Sequence, residues 1–156
     1  MKQIQKFAAL LAATALILCL FAGCGSNTVD NAGGTCTLSI SCESVLDNMD
    51  DLTEGKEDLI PDDGWMIAPT EVSFAKDETV MDMLERELQK RNMHFEVEGS
   101  GTSAYVTGIG NLYQMDCGDM SGWTFYVNGE YPEIGFGSYQ LTDGDVVELI
   151  YVCSFD

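Results

Sequence analysis

Residues 121–131 read Ser-Gly-Trp-Thr-Phe-Tyr-Val-Asn-Gly-Glu-Tyr, and this stretch decides the fold. Alternation along a strand places Trp123 and Phe125 on one side and Tyr126 on the other. The Asn-Gly pair follows directly, and it readily takes the positive φ values of a type I′ turn. The stretch therefore predicts a β-hairpin. Its return strand is expected to be short, because Pro132 has no N–H to donate.

Strand and turn signals continue on both sides of the hairpin. Asp-Gly-Asp at 143–145 predicts a turn, and the apolar run at 146–153 predicts a central strand. Upstream, residues 36–42 alternate strictly between apolar and polar side chains, which predicts a half-buried strand. Residues 65–74 predict a further strand region that is broken at Pro69.

Residues 79–91 predict the one clear helix, with Thr79 as its N-cap. The apolar positions that share one helical face are Val80, Met83, Leu84 and Leu88. One helix among several strands indicates an α+β fold in which the helix lies across one face of a sheet.

The N-terminus predicts a bacterial lipoprotein signal. Two lysines precede an apolar run at 7–21, which ends in Leu-Phe-Ala-Gly-Cys at 20–24 and resembles a lipobox, although Phe21 departs from the usual aliphatic residue. We expect cleavage after Gly23 and a lipid on Cys24, which would hold the protein on the extracellular side of the bacterial cell membrane. The alternative is an ordinary secretory signal and a soluble secreted protein.

This interpretation divides the chain into three parts, which are a signal peptide (1–23), a flexible linker from the lipidated cysteine (24–35) and a single domain (36–156). Removal of Lys2 and Lys6 with the signal leaves five basic residues against 26 acidic ones. Such an acidic chain is not expected to bind nucleic acid or anionic lipid headgroups, because both need basic patches. Solubility and cation binding remain the two explanations of the acidity.

Four cysteines lie in the predicted domain, and an even number in an exported chain indicates disulfides. They are Cys36, Cys42, Cys117 and Cys153. Their spacing contains no Cys-x-x-Cys and no paired histidine, so no metal site is predicted from them. Acidic residues at 47–51 and 58–63 offer oxygen ligands for calcium, but their spacing fits no EF-hand loop and favours a solvated loop.

Four motifs together resemble the transcobalamin-like C-terminal domain family, which is the bacterial domain of unknown function 4430. In chain order they are Thr-Val-Met-Asp-Met-Leu at 79–84, Tyr-Val-Thr-Gly-Ile at 105–109, the hairpin stretch at 121–129, and Asp-Gly-Asp-Val-Val-Glu-Leu-Ile-Tyr at 143–151. The resemblance implies a β-grasp-like mixed sheet with one helix. In the vertebrate cobalamin carriers a similar domain caps the corrinoid ring, so it also implies a corrinoid, or cobalamin-like, ligand.

The resemblance further implies that the first and last strands lie side by side and parallel. In that arrangement Cys42 pairs with Cys153 and Cys36 pairs with Cys117, so the domain is disulfide-stapled. About 20 Å of one strand would separate Cys36 from Cys42, which is beyond the reach of a disulfide. We therefore do not expect that pairing, nor the pairing of Cys117 with Cys153 that would accompany it.

No catalytic constellation is evident. The only histidine is His94, and no serine lies in a Gly-x-Ser-x-Gly elbow, so a catalytic triad is not predicted. Carboxylates are too numerous for counting to exclude a glycosidase pair. An envelope hydrolase is therefore kept as a distant alternative, and no cofactor is predicted.

The aromatic residues around the hairpin form the better candidate site. Trp123 and Phe125 are expected in the core, which leaves Tyr126, Tyr131, Phe136 and Tyr139 as candidate ligand-binding residues at the surface. Plain packing of the loop at 131–139 explains them equally well. We therefore expect a non-enzymatic cell-surface binding module for a corrinoid or an envelope protein partner. The alternative is a structural or adhesive display domain without a small-molecule ligand.

Overall fold

The computed structural model of the protein describes residues 32–154, which form two sheets and two helices. The strands are β1 (Ala32–Ser41), β2 (Trp65–Ala75), β3 (Phe95–Glu98), β4 (Tyr105–Ile109), β5 (Leu112–Tyr113), β6 (Gly122–Val127) and β7 (Val146–Val152). The helices are α1 (Glu43–Leu46) and α2 (Val80–Lys90). Short 3-10 turns cover Met49–Asp51, Glu57–Leu59 and Gly101–Ser103. In the described part of the chain, none of the helices has the length and apolar character needed to cross a membrane.

The larger sheet has the strand order β2, β1, β7, β6. Strands β1 and β7 run parallel, with Thr37 opposite Val146 and Ser41 opposite Ile150, and the other pairs are antiparallel. The α+β class, a mixed sheet and the central position of β7 are therefore confirmed. The parallel pairing of β1 with β7 is also the arrangement that the resemblance implied.

The other three strands form a second sheet in the order β3, β4, β5, whereas the sequence predicted a single sheet. Each of these strands pairs antiparallel with its neighbour in the chain. Strand β5 is only two residues long and is flanked by Asn111 and Met115, both of which have a φ of 67°. Residues with a positive φ do not continue a regular strand, which is consistent with the short length of β5.

Strand β2 continues through Pro69, where the sequence predicted a break. Its pairing with β1 is irregular there, since Leu38 lies opposite Thr70 and Ile40 opposite Ile67. The strand lies at the edge of the larger sheet and pairs with β1 alone. A proline is tolerated at an edge because no second neighbour needs its missing N–H.

Helix α2 begins and ends where the sequence predicted. The Thr79 hydroxyl accepts a hydrogen bond from the Asp82 N–H at 3.2 Å, and the Asp82 carboxylate accepts one from the Thr79 N–H at 3.0 Å. This reciprocal capping box satisfies two N–H groups that have no partner within the helix. The predicted apolar face of α2 is buried and joins the apolar residues of β1 and β7 in one core.

All four cysteines of the described residues are free, so neither predicted disulfide is formed. The prediction that Cys42 pairs with Cys153 and Cys36 with Cys117 is not supported, and the stapling of the fold is not supported with it. Cys36 lies opposite Val72 on β2, and the Cys42 thiol donates to the Gly64 carbonyl at 3.5 Å. The expectation that Cys117 does not pair with Cys153 is also not supported, since their sulfurs lie 2.6 Å apart. Parallel alignment of β1 and β7 does not decide the pairing, because Cys117 approaches β7 from a separate loop.

The N-terminal predictions fall mainly outside the described residues. The signal peptide, the lipidation of Cys24 and the linker as far as residue 31 lie there and stay predictions. Strand β1 begins at Ala32, so the last four residues of the predicted linker belong to the strand. Their small side chains fit this place, since a Cβ on Gly33 would lie 2.5 Å from the Ala75 carbonyl oxygen.

Candidate ligand-binding cleft

The predicted hairpin is confirmed, and it brings its aromatic residues to one edge of the larger sheet. Val127 and Glu130 exchange two backbone hydrogen bonds of 2.9 and 3.0 Å. Asn128 and Gly129 between them have φ values of 56° and 78°, as a type I′ turn requires. The chain then leaves β6 as a loop at 131–139 instead of continuing as a strand.

The loop at 131–139 is held against the start of α2. The Met81 N–H donates to the Phe136 carbonyl at 3.1 Å, and the Val80 N–H donates to the Tyr139 carbonyl at 2.9 Å. Both donors lie in the first turn of the helix, where N–H groups lack partners within the helix. Gly137 permits a close approach on the other side, because a Cβ there would lie 2.5 Å from the Gly101 carbonyl oxygen. The loop is therefore fixed from two sides.

A cleft of about 250 Å³ lies between this loop, β6 and the start of β4. We call it the aromatic cleft, and its lining residues are Ala104, Tyr105, Trp123, Thr124, Phe125 and residues 131–136. Three large side chains are exposed at it: Tyr131 (67%), Ile134 (49%) and Tyr105 (43%). The lining contains one acidic residue, Glu133, and no lysine or arginine. Its chemistry suits an aromatic or other flat organic group that carries no negative charge.

Two of the four predicted site residues, Tyr126 and Tyr131, contact each other beside this cleft. The Tyr131 ring packs edge-on against the Tyr126 ring, with 6.0 Å between the centroids. Tyr126 is half-buried and supports Tyr131 from behind without lining the cleft itself. The hairpin turn explains this pairing, because it folds residue 131 back alongside residue 126.

The prediction that Phe136 is a surface aromatic is wrong. Phe136 is only 5% exposed and stacks on Phe125, with 4.1 Å between the ring centroids and 29° between the ring planes. The hydrogen bond from Met81 to its carbonyl draws the loop inward at this residue. Phe136 therefore belongs to the floor of the cleft and to the core.

Tyr139 lies away from the cleft. It is half-buried and packs against the core near the first turn of α2. Burial raises its pKa, and the carboxylate of Asp145 raises it further. Tyr139 therefore helps to attach the loop at 131–139 to the core. It does not lie together with Tyr131.

Sequence reasoning missed Tyr105 and Ile134. Tyr105 opens β4 and lies opposite Glu98 on β3, and its hydroxyl donates to the Glu98 carboxylate at 2.6 Å. This hydrogen bond is the main reason that its pKa is raised. Ile134 could have been found from the sequence, because a lone apolar residue in a loop that contains proline and glycine is a candidate for an exposed contact residue.

Strand β6 has a free edge that faces the aromatic cleft. Asn128 donates to the Val146 carbonyl on the β7 side, whereas the Val127 N–H and carbonyl bond to Glu130 on the opposite side. Because these directions alternate along an antiparallel strand, the backbone groups of Trp123 and Phe125 also point away from β7. Among the described residues, neither takes part in a backbone hydrogen bond on that side.

A second cavity, of about 450 Å³, lies on the face of the larger sheet opposite the core. Its lining includes Ser39, Ser41, Trp65 and Glu148 and contains no basic side chain. The Ser41 hydroxyl is already used, since it accepts from the Glu43 N–H at 3.1 Å. The cavity is larger than the aromatic cleft, but it lacks a cluster of exposed aromatic side chains.

The residues considered for catalysis have structural partners. The Tyr113 hydroxyl lies 2.9 Å from His94 Nε2, and His94 lines neither of these two cavities. The Ser121 hydroxyl accepts from the Cys117 N–H at 3.0 Å and lies 2.8 Å from the Tyr151 hydroxyl. Across residues 32–154, no three side chains of His, Cys, Asp or Glu converge in a way that could hold a metal ion.

Comparison with known proteins confirms the predicted resemblance. Residues 77–152 match the model of a family described as Domain of unknown function (DUF4430). This range includes the helix, the hairpin and β7. No match was found among curated proteins.

Solved structures of low sequence identity are similar to this chain. The chain matches haptocorrin in complex with Cbi with a TM-score of 0.53 and 17% identity, over 83% of this chain and 28% of the haptocorrin chain. It also matches a protein from Ruminococcus gnavus, described as a candidate metal binding protein, with a TM-score of 0.44 and 15% identity, over 76% of this chain and 95% of that one. At these identities the likeness to haptocorrin concerns the fold alone, and the chain spans little more than a quarter of that protein.

Proposed function

We propose that this chain, whose residues 77–152 match the DUF4430 model, is a non-enzymatic binding module that takes a flat organic ligand in its aromatic cleft. The observation that carries the proposal is the position of Tyr131, which is 67% exposed yet held edge-on against Tyr126. An exposed aromatic ring with a fixed orientation offers a ligand contact area at little cost in side-chain entropy.

A corrinoid is the specific ligand that we propose. The chain shares its fold with a region of haptocorrin, a protein whose structure was solved in complex with Cbi. The lining of the cleft supports this choice, because it is aromatic and lacks the basic side chains that an anionic ligand would need. The match covers only 28% of haptocorrin, so a second protein is proposed to complete the enclosure of the ligand.

Equilibrium dialysis against cobinamide tests the proposal, because a bound corrinoid is visible by its colour. We expect retention by the wild-type chain and binding weakened by about tenfold in Tyr131→Ala, the loss expected for one aromatic contact of about 1.4 kcal/mol. Met120→Ala is the matched control, because Met120 is also 67% exposed and does not line the cleft. Absence of retained colour at high micromolar ligand, or equal weakening in both variants, would contradict the proposal.

A protein partner is the second candidate, and the free edge of β6 favours it. The outward backbone groups of Trp123 and Phe125 can accept an added strand, and the adjacent cleft can receive its side chains. A partner segment with lysine or arginine would complement the acidic chain.

Residue-resolved hydrogen exchange separates the two candidates. In the protein alone, the amides of Trp123 and Phe125 should exchange faster than those of Thr124 and Tyr126, which point toward β7. An added strand would slow the first pair, whereas a corrinoid would leave their backbone groups unpaired. For the strand-addition measurement, the proteins added are those isolated from the envelope of the bacterium that makes this chain.

We also propose that the domain is held on the outer face of the bacterial membrane by a lipid on Cys24. The Leu-Phe-Ala-Gly-Cys sequence at 20–24 supports this. Detergent phase partitioning of the chain produced in bacteria tests it: the wild-type chain should enter the detergent phase, and Cys24→Ala should stay in the aqueous phase. Equal partitioning of the two would favour an ordinary secreted protein.

A further inference from the structure

The sulfur atoms of Cys117 and Cys153 are in direct contact. Their separation is 2.6 Å, whereas Ser44 Oγ lies 3.6 Å from the Cys153 sulfur. Cys117 is 1% exposed, and Cys153 is half-buried directly after β7. We propose that these two cysteines form a disulfide that ties the loop between β5 and β6 to the end of β7.

The backbone on both sides is already held in place for such a bond. Cys117 forms a bridge with Leu52, and its N–H donates to the Ser121 hydroxyl at 3.0 Å. On the other side, the Ser44 hydroxyl donates to the Tyr151 carbonyl at 2.6 Å, two residues before Cys153. A disulfide requires two cysteines whose sulfurs can approach each other without movement of the backbone, and these two sulfurs are already in contact.

Cys36 and Cys42 have different neighbours and do not take part in this contact. Cys36 on β1 and Cys42 directly after that strand belong to the core and are at most 2% exposed. Burial raises the pKa of each thiol to about 11, but it also raises the pKa of Cys117 to about 12, so ease of ionisation does not distinguish these thiols from the pair. Geometry does distinguish them, since the Cys42 thiol is directed to the Gly64 carbonyl and Cys36 lies opposite Val72.

The oxidation requires an external disulfide, for which oxidised glutathione is the chemical model. The half-buried Cys153 thiolate attacks one sulfur of oxidised glutathione. A mixed disulfide between Cys153 and glutathione forms, and the other glutathione leaves as a thiolate. Cys117 loses its proton and attacks the Cys153 sulfur, which displaces the second glutathione. Two protons and two electrons leave the protein, and one oxidised glutathione becomes two reduced ones.

The bond would close the part of the chain that carries most of the aromatic cleft. Positions 117 and 153 are 36 residues apart, and the segment between them contains β6, the hairpin, the loop at 131–139 and β7. Closing a loop of this length removes conformational freedom from the unfolded chain. The melting temperature should therefore be about 10 °C higher for the oxidised than for the reduced protein.

Peptide mapping of the full chain without reduction tests the pairing. The purified protein is equilibrated with oxidised glutathione, unfolded in an alkylating reagent and digested. We expect one linked pair that contains Cys117 and Cys153, with Cys36 and Cys42 alkylated. A link between Cys42 and Cys153, or alkylation of all four thiols, would overturn the proposal.

The response to reductant provides a second measurement that does not depend on a variant. Reduction should lower the melting temperature of the wild-type chain and of the matched control Cys36→Ser by the same amount. It should leave Cys153→Ser unchanged, because that variant has no bond to lose. A wild-type chain insensitive to reductant, or a Cys153→Ser variant that still responds, would contradict the assignment.

Discussion

The side chain of Asn128 is hydrogen-bonded to the carboxylate of Asp145, with 2.9 Å between Nδ2 and Oδ1. The side-chain oxygen Oδ1 of Asn128 also accepts a hydrogen bond from the Val146 N–H at 2.9 Å. The second oxygen of Asp145 accepts from the Thr142 N–H at 2.9 Å. One side chain thus joins the Asn-Gly turn of the hairpin to the Asp-Gly turn before β7, two features that are adjacent only in space.

Replacement of Asn128 should therefore destabilise the domain by more than its turn position alone explains. Asn128→Ala loses both side-chain hydrogen bonds and places an alanine at a φ of 56°, so we expect a loss of about 3 kcal/mol. Asn128→Gly keeps the turn and should cost about 1 to 2 kcal/mol. Urea unfolding measures both, and an Asn128→Gly variant as stable as the wild type would show that the contact with Asp145 contributes little.

Tyr151 should make the domain sensitive to alkali. Its side chain is fully buried, and its hydroxyl donates to the Tyr113 carbonyl at 2.7 Å. Burial raises its pKa to about 12, against a usual value of 10.0. The unfolded chain releases this proton first, so stability should fall by up to about 3 kcal/mol as the pH rises from about 10 to 12.

The Tyr151→Phe variant isolates this contribution from those of other groups. The variant should be less stable than the wild type at neutral pH by about 1 kcal/mol, because it loses the hydroxyl's hydrogen bonds. The difference should shrink and then reverse in strong alkali, where wild-type Tyr151 must stay protonated to remain buried. Stability curves measured from pH 8 to 12 would contradict this if they ran parallel.

Glu87 should make the stability of the domain depend on pH in the acid range. Its side chain is 6% exposed and is paired with Arg86, with Lys90 at 2.8 Å and with Arg91 at 2.6 Å. Burial works against its ionised form, but the hydrogen bonds from Lys90 and Arg91 outweigh burial and lower its pKa. The stabilisation is therefore present above the usual pKa of 4.5 and lost as the pH falls below it.

Glu87→Gln should be destabilised by about 2 kcal/mol at pH 7, because Lys90 and Arg91 lose their carboxylate partner. Arg86 keeps its ion pair with Glu78. Glu85→Gln is the matched control, since Glu85 lies on the same helix but is exposed and forms no ion pair within the described residues. Chemical unfolding at pH 7 and pH 3 should show that the difference between the variants closes at the lower pH.

The two apolar residues of the cleft loop should behave in opposite ways. Phe136→Ala removes a buried ring that stacks on Phe125 and should cost about 3 to 5 kcal/mol. Ile134→Ala removes a side chain that is 49% exposed and should change stability by less than about 0.5 kcal/mol. Thermal unfolding of both variants is the measurement, and equal losses would mean that Ile134 is as buried as Phe136.

Features that depend on neighbouring residues were predictable from the sequence. The helix at 79–91, the Asn-Gly hairpin and the strands at both ends of the domain were correct, because capping, turn preference and alternation act over a few residues. The core position of Trp123 was also correct: it is 8% exposed, and its indole N–H donates to the Leu112 carbonyl at 3.0 Å.

The sequence by itself thus determined the local elements and their order. The tertiary structure alone decided which residues meet: Phe136 is buried because Phe125 and the first turn of α2 receive it, while Tyr131 in the same loop stays exposed. It likewise brought the Cys117 sulfur to Cys153. The physical reason is that packing joins segments far apart in the chain, and a local pattern carries no record of which distant surface a side chain will contact.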